Sequence, residues 1–150
     1  MAVTEGTDFR LPLDTVYAGR GEMVTDRQRK DTGKAGEDEA CRFLLNMGHT
    51  ILERNWRCGH LEIDIISLDA DGIHFVEVKT RRPPMQALPQ ESVTPGKQRR
   101  VAKAAARYLA TCRNGRVRDM ECLFDIIAVT LAEDGMKVEY CRQAYYPVFV

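Results

Sequence analysis

The stretch from Leu61 to Thr80 constrains the fold of this 150-residue chain more than any other. In "LEIDIISLD" the apolar Leu61, Ile63 and Ile65 alternate with Glu62 and Asp64, which is the period of a β-strand. "DADG", Asp69 to Gly72, is a turn signal, and "IHFVEVKT" is a second apolar run. Side chains two apart share a face of a strand, so Glu77 and Lys79 point the same way from a run that a sheet would otherwise bury. "TILERNWR" just upstream reads as a third strand, which makes the middle of the chain a β-meander.

Helices flank the meander. "GKAGEDEACRFLLNMG" carries Ala40, Cys41, Leu44 and Leu45 at helical spacing and ends at Gly48. After a loop with four prolines, "RRPPMQALPQESVTPG", comes "KQRRVAKAAARYLATC". There Val101, Ala104, Ala105, Tyr108, Leu109 and Cys112 form one buried stripe, and Arg99, Arg100, Lys103 and Arg107 lie opposite. "CLFDIIAVTL" is nearly continuous in apolar residues, as a central strand is, and "GMKVEYCRQAYY" supplies one more strand. The order α-β-β-β-α-β-β implies an α/β domain with a mixed sheet flanked by helices, over residues 31–150. Residues 1–30 show no sustained period and read as an N-terminal extension, mobile or docked.

The formal net charge is zero, but the charge is unevenly spread. From Lys79 to Arg118 eleven Lys and Arg face one acid, Glu91. Such a segment suits a polyanion, and equally a solvated helix face balanced by nearby acids. The five cysteines are odd in number and widely spaced, which fits reduced thiols and a cytoplasmic setting. With three histidines and no Cys-x-x-Cys, no zinc cluster is legible. No apolar run approaches the length of a membrane span.

The hairpin register decides what the charges can do. If Asp69–Gly72 form a four-residue loop, Leu68 pairs with Ile73, which puts Asp64 opposite Glu77 and Glu62 opposite Lys79. A tighter Asp71-Gly72 turn puts Asp64 opposite Lys79. Either way Glu62, Asp64, Glu77 and Lys79 are expected on one face. Facing carboxylates repel. Lys79 offsets part of that charge, and a hard divalent cation, Mg2+ or Mn2+, suits the remainder. The alternative is a surface hairpin with cross-strand salt bridges, and the residues alone leave both readings open.

Taken in order, "GKAGEDEACRFLLNMGHTILERNWR", "LEIDII", "FVEVKTR", the basic helix from Lys97 and "FDIIAV" resemble the YraN family of bacterial proteins. That family is described as predicted endonucleases of the PD-(D/E)xK nuclease superfamily, related to archaeal Holliday junction resolvases. The resemblance implies a restriction-endonuclease-like core and a metal-dependent DNA endonuclease. Asp64 and Glu77 match the metal-binding acids, Lys79 the catalytic lysine and Glu37 the acid of the first helix. Glu37 reads equally as a first-turn acid serving the helix dipole. Glu62 would partner Lys79 or a neighbouring Arg, and Gln98 would take a supporting polar role. Where the family has Gly and Arg, this chain has Leu61 and Leu123. Asp125 reads as a structural acid rather than a ligand, and Trp56 as a packed aromatic.

Under that resemblance Arg81, Arg82, Lys97, Arg99, Arg100, Lys103 and Arg107 would neutralise phosphates, giving affinity without base reading. Such recognition suits branched, Holliday-junction-like DNA, and an enzyme cutting two strands suits a homodimer. Two alternatives accompany the endonuclease: a nuclease fold that binds nucleic acid without turnover, and a small docking domain.

Overall fold

A computed structural model describes residues 4–7, 25–83 and 93–147. Its elements are β1 (Thr4–Thr7), α1 (Asp26–Asn46), β2 (Thr50–Cys58), β3 (Leu61–Leu68), β4 (Ile73–Arg81), α2 (Pro95–Thr111), the one-turn α3 (Gly115–Arg118), β5 (Cys122–Ala132) and β6 (Gly135–Tyr145). Five long strands and the short edge strand β1 form one sheet, in the order β1-β6-β5-β4-β3-β2. β4 and β5 run parallel, joined by the crossover through α2, and every other pair is antiparallel. This is the expected mixed α/β sheet flanked by helices, and it accords with a nuclease-like core.

The two helices cover opposite faces. Ala40, Phe43 and Leu44 of α1 pack on Ile65, Val76, Ile127 and Val129. Val101, Ala104, Ala105 and Tyr108 of α2 pack on Ile63, Ile66, Ile73 and Phe75. β4 and β5 are therefore buried on both sides, which explains the near-continuous apolar run of β5. Trp56 packs edge-on against Tyr108, with ring centroids 5.5 Å apart, as a core aromatic does.

α1 starts seven residues before the periodicity suggests, inside the stretch that reads as an extension. Thr25 caps it: its side chain accepts from the Gln28 N–H, and the Gln28 side chain reaches back to the Thr25 N–H. This first part is exposed, so it carries no apolar stripe for the sequence to show. Gly48 follows the C-cap Met47 with φ +92°, the left-handed conformation that ends many helices. Gly36 lies where α1 crosses β4, and a Cβ there would stand 2.0 Å from Thr80 Oγ1. Most of the N-terminal segment and the middle of the loop before α2 with Pro84 and Pro89, residues 8–24 and 84–92, lie outside the described residues.

The expected β3–β4 register holds: Leu68 pairs with Ile73 and Ile65 with Val76. The expected alternation of β3 does not hold throughout. Leu61 and Ile63 pack under α2, whereas Ile65 packs under α1. The side chains change faces between Ile63 and Ile65, at Asp64. On β2, Arg54 pairs with Ile65 and Trp56 with Ile63, which leaves Asn55 opposite Asp64. Asn55 has φ +51°, a conformation that Asn tolerates better than most residues. It is matched by the same change of face along β2: Arg54 meets Asp38 of α1, and Trp56 meets Tyr108 of α2. Glu62 consequently sits on the α1 side, apart from Glu77 and Lys79, and the expected single face of four charges is corrected to this arrangement.

Candidate functional site

The slip in β3 coincides with the place where β3 and β4 part. Their ladder ends at Ile65 and Val76, and the next two residues in register are Asp64 and Glu77. In place of a backbone bond, Asp64 Oδ2 accepts the Val78 N–H at 2.8 Å. That bond fixes the carboxylate at the mouth of the gap. Glu77 is buried (8% exposed) beside it. Burial, then the charge of Glu77, push the Asp64 carboxyl up to about 7, and Glu37 and Glu62 push in the same direction.

Two ammonium groups meet one oxygen of Glu77. Lys79 Nζ lies 3.4 Å and Lys97 Nζ 3.5 Å from Oε1. Lys97, at the start of α2, is expected among phosphate-binding residues, and it stands instead on an acid of the site. Tyr145, which no sequence motif singles out, closes the same region from β6. Its hydroxyl is buried without a hydrogen-bond partner among the described residues, and burial and Glu77 both raise its pKa. A half-buried acid pressed against a second one, together with an orphaned hydroxyl, fits a hard cation with its coordinated waters.

The other expected residues are spread around this pair. Glu37 of α1 faces Asp64 closely enough to raise its pKa. Glu62 pairs with Arg57 at 3.5 Å, the neighbouring-arginine option. Gln98 Nε2 donates to the Val93 carbonyl at 3.2 Å and so ties down the end of the loop before α2. Arg99, Arg100, Lys103 and Arg107 are exposed along α2. Arg82 donates to Thr32 Oγ1 at 3.4 Å, and Arg81 and Arg82 line a cavity of about 440 Å³ beside α1.

A second cluster lies on the α1 side, at the far end of β4. His49, Asp69 and His74 bring ligand atoms within 4.8 Å of one another, a group that could hold a metal. No zinc cluster is legible from the spacing of these residues in the sequence; the hairpin brings the separated side chains together. In the structure, hydrogen bonds occupy these atoms. Asp69 Oδ1 accepts from His74 Nε2 at 2.8 Å and from the Asp71 and Gly72 N–H groups. Asp69 Oδ2 accepts from Arg142, which also binds Asp71. His74 Nδ1 meets Asp125 Oδ2 at 2.5 Å, and Tyr140 and the Gln143 N–H donate to the same carboxylate. Asp125 is thus the structural acid expected of it.

Electrostatics follow these contacts. Burial lowers the His74 pKa, but its bonds to Asp125 and Asp69 outweigh that and raise it overall. Burial raises Asp69, but His74, the turn N–H groups and Arg142 hold it well below the usual carboxylate range. Burial and the neighbouring His74 lower His49. The cluster is best described as an imidazolium between two carboxylates, with its charges matched.

Residues 36–129 match the family described as "Uncharacterised protein family UPF0102". A UPF0102 protein of Syntrophus aciditrophicus is 43% identical over 118 residues, covering 79% of this chain and 91% of that protein. One from Pelobacter propionicus is 44% identical over 134 residues, covering 85% and 93%. Among solved structures, that of Pyrococcus furiosus SfsA in complex with Ca2+ gives a TM-score of 0.31 at 15% identity, covering 76% of this chain and 63% of that one, a likeness too distant to argue from. All five cysteines are free, and no described helix is long and apolar enough to cross a membrane.

Proposed function

The chain belongs to the UPF0102 family, the YraN family its motifs resemble, and we propose that it is a metal-dependent endonuclease hydrolysing phosphodiester bonds of DNA. The observation that carries this reading is the Asp64–Glu77 pair at the point where β3 and β4 separate. A stable hairpin gains nothing from a buried acid driven toward protonation by a second one. A cation site does gain from it, since the same repulsion becomes affinity for a divalent ion.

Asp64 and Glu77 would hold Mg2+ or Mn2+, and the ion would supply Lewis-acid polarisation of a phosphate oxygen. The chain's own groups do the rest. The Val78 N–H holds the Asp64 carboxylate in place before substrate arrives. Lys79 is part exposed and within reach of an incoming phosphate, where its ammonium stabilises charge building on the phosphoryl oxygens. Lys97 holds the Glu77 carboxylate from the side of α2. Glu37, on α1 and close enough to Asp64 to raise its pKa, would accept a proton from an attacking water. The exposed cations of α2, with Arg81 and Arg82, would fix the backbone without reading bases, which suits branched substrates.

The test is an assay on branched, flapped and linear DNA with Mg2+, with Mn2+ and with chelator. Metal-dependent cutting that Glu77→Gln and Lys79→Ala abolish, with binding retained, supports the reading. Binding with steep salt dependence and no cutting under any condition replaces it with a nuclease fold that only binds. A symmetric dimer belongs to the same proposal, and sedimentation of the DNA complex tests it.

A further inference from the structure

Two cavities flank the first turns of α1 and meet on it. One, of about 440 Å³, is lined by Arg29, Arg81 and Arg82 among others. The second, of about 580 Å³, is lined by Lys30, Lys34, Arg54 and Arg57 among others. Both include Gly33 and Glu37. They therefore form one groove across α1, on the sheet face opposite α2, and its lining includes Val78, whose N–H donates to Asp64 at 2.8 Å.

Among the described residues the lining has seven cationic side chains and two acids, Glu37 and Glu62. Arg54 is paired with Asp38 and Arg57 with Glu62. Among the described residues no ion pair involves Arg29, Lys30 or Lys34, and all three are exposed. Among the described residues that line either cavity there is no aromatic ring of the kind that stacks on unpaired bases. A charged groove without stacking surfaces recognises phosphates.

We infer that this groove is a track for the sugar-phosphate backbone of duplex DNA, crossing α1 at Gly33 and passing Val78, whose N–H holds Asp64. It adds Arg29, Lys30, Lys34 and Arg54, on the sheet face opposite α2, to the phosphate contacts proposed for the cations of α2. The inference rests on the nuclease reading for its choice of ligand, but its test does not depend on cutting.

Gly33 offers a probe. A Cβ there meets nothing within 4 Å, so a side chain at this position projects into the groove without clash. Gly33→Glu places a negative charge on its floor, and Gly33→Gln places a neutral chain of the same size. Binding of a duplex of about three helical turns is measured by fluorescence anisotropy in chelator over a salt series, with folding checked by denaturant midpoint. Gly33→Glu should weaken binding at least about tenfold, and Gly33→Gln by less than about threefold. Lys30→Ala with Lys34→Ala should flatten the slope of log K against log salt by about 0.9 for each phosphate no longer neutralised. Equal binding by Gly33→Glu and the wild type, equal weakening by the Gln and Glu variants, or no duplex binding by the wild type at low salt would each overturn the inference. Duplex binding that obeys the charge rule, with no cutting in Mg2+ or Mn2+, would leave the groove standing and remove the nuclease reading.

Discussion

Replacing Asp64 by Asn should stabilise the metal-free protein at neutral and alkaline pH, although it alters the proposed centre. Asn keeps an oxygen for the Val78 N–H but carries no charge. The Asp64 carboxyl is raised from its ordinary 3.8 to about 7, chiefly by burial and then by Glu77. In the unfolded chain the group titrates near its ordinary value, so between about pH 4 and 7 the folded state holds a proton that the unfolded state has lost. The stability from this group is complete below about pH 4 and is lost as pH rises through about 7. A shift of this size corresponds to about 4 kcal/mol, and partial exposure reduces what is realised to roughly 2–4 kcal/mol. Urea denaturation of both proteins in chelator, from about pH 4.5 to 8.5, reads the difference. Asp64→Asn should gain on the wild type across that range and level off above about pH 7.5. Adding Mn2+ at about pH 8 should then stabilise the wild type by mass action and leave the variant unchanged. A variant less stable than the wild type by the same amount at every pH would overturn this, because Asp64 would then be only a hydrogen-bond acceptor.

Gly36→Ala should cost about 1–3 kcal/mol, because its Cβ meets Thr80 Oγ1 at 2.0 Å, and Thr80→Ala in the same chain should recover much of that in denaturant midpoint. His74→Leu leaves Asp69 and Asp125 without their shared imidazolium and should cost roughly 3–5 kcal/mol, read by thermal or urea unfolding. Because the folded His74 pKa is raised, the wild type should lose stability relative to His74→Leu as pH rises above 6.5. Lys97→Ala should reduce cutting far less than Lys79→Ala if Lys97 only steadies Glu77, and the two kcat values measure this.

Where burial changes with a clear period, the sequence announces the fold. The β3–β4 hairpin and its register are legible because the turn residues Asp69–Gly72 fix the loop length and the apolar residues on either side fix the faces. The amphipathic stripe of α2 is legible for the same reason. The face change at Asp64 is not, because helices cover both sides of the sheet there. An apolar residue is then equally at home on either face, and Leu61, Ile63 and Ile65 read as one row. The left-handed Asn55 that matches the slip leaves no pattern of its own. Lys97 on Glu77, the orphaned Tyr145 hydroxyl and the His49–Asp69–His74 cluster all arise from pairings distant along the chain, which spacing rules do not reach. The start of α1 does have a local signal: Thr25 and Gln28 spell a capping box.

Whether Asp64 and Glu77 bind a divalent cation is decided by direct titration of Mn2+, followed by electron paramagnetic resonance. Three proteins are compared at about pH 8: the wild type, Glu77→Gln and His74→Leu. The proposed centre requires a bound Mn2+ that Glu77→Gln eliminates and His74→Leu retains. Mn2+ bound equally by the wild type and Glu77→Gln, or bound by neither, would contradict it.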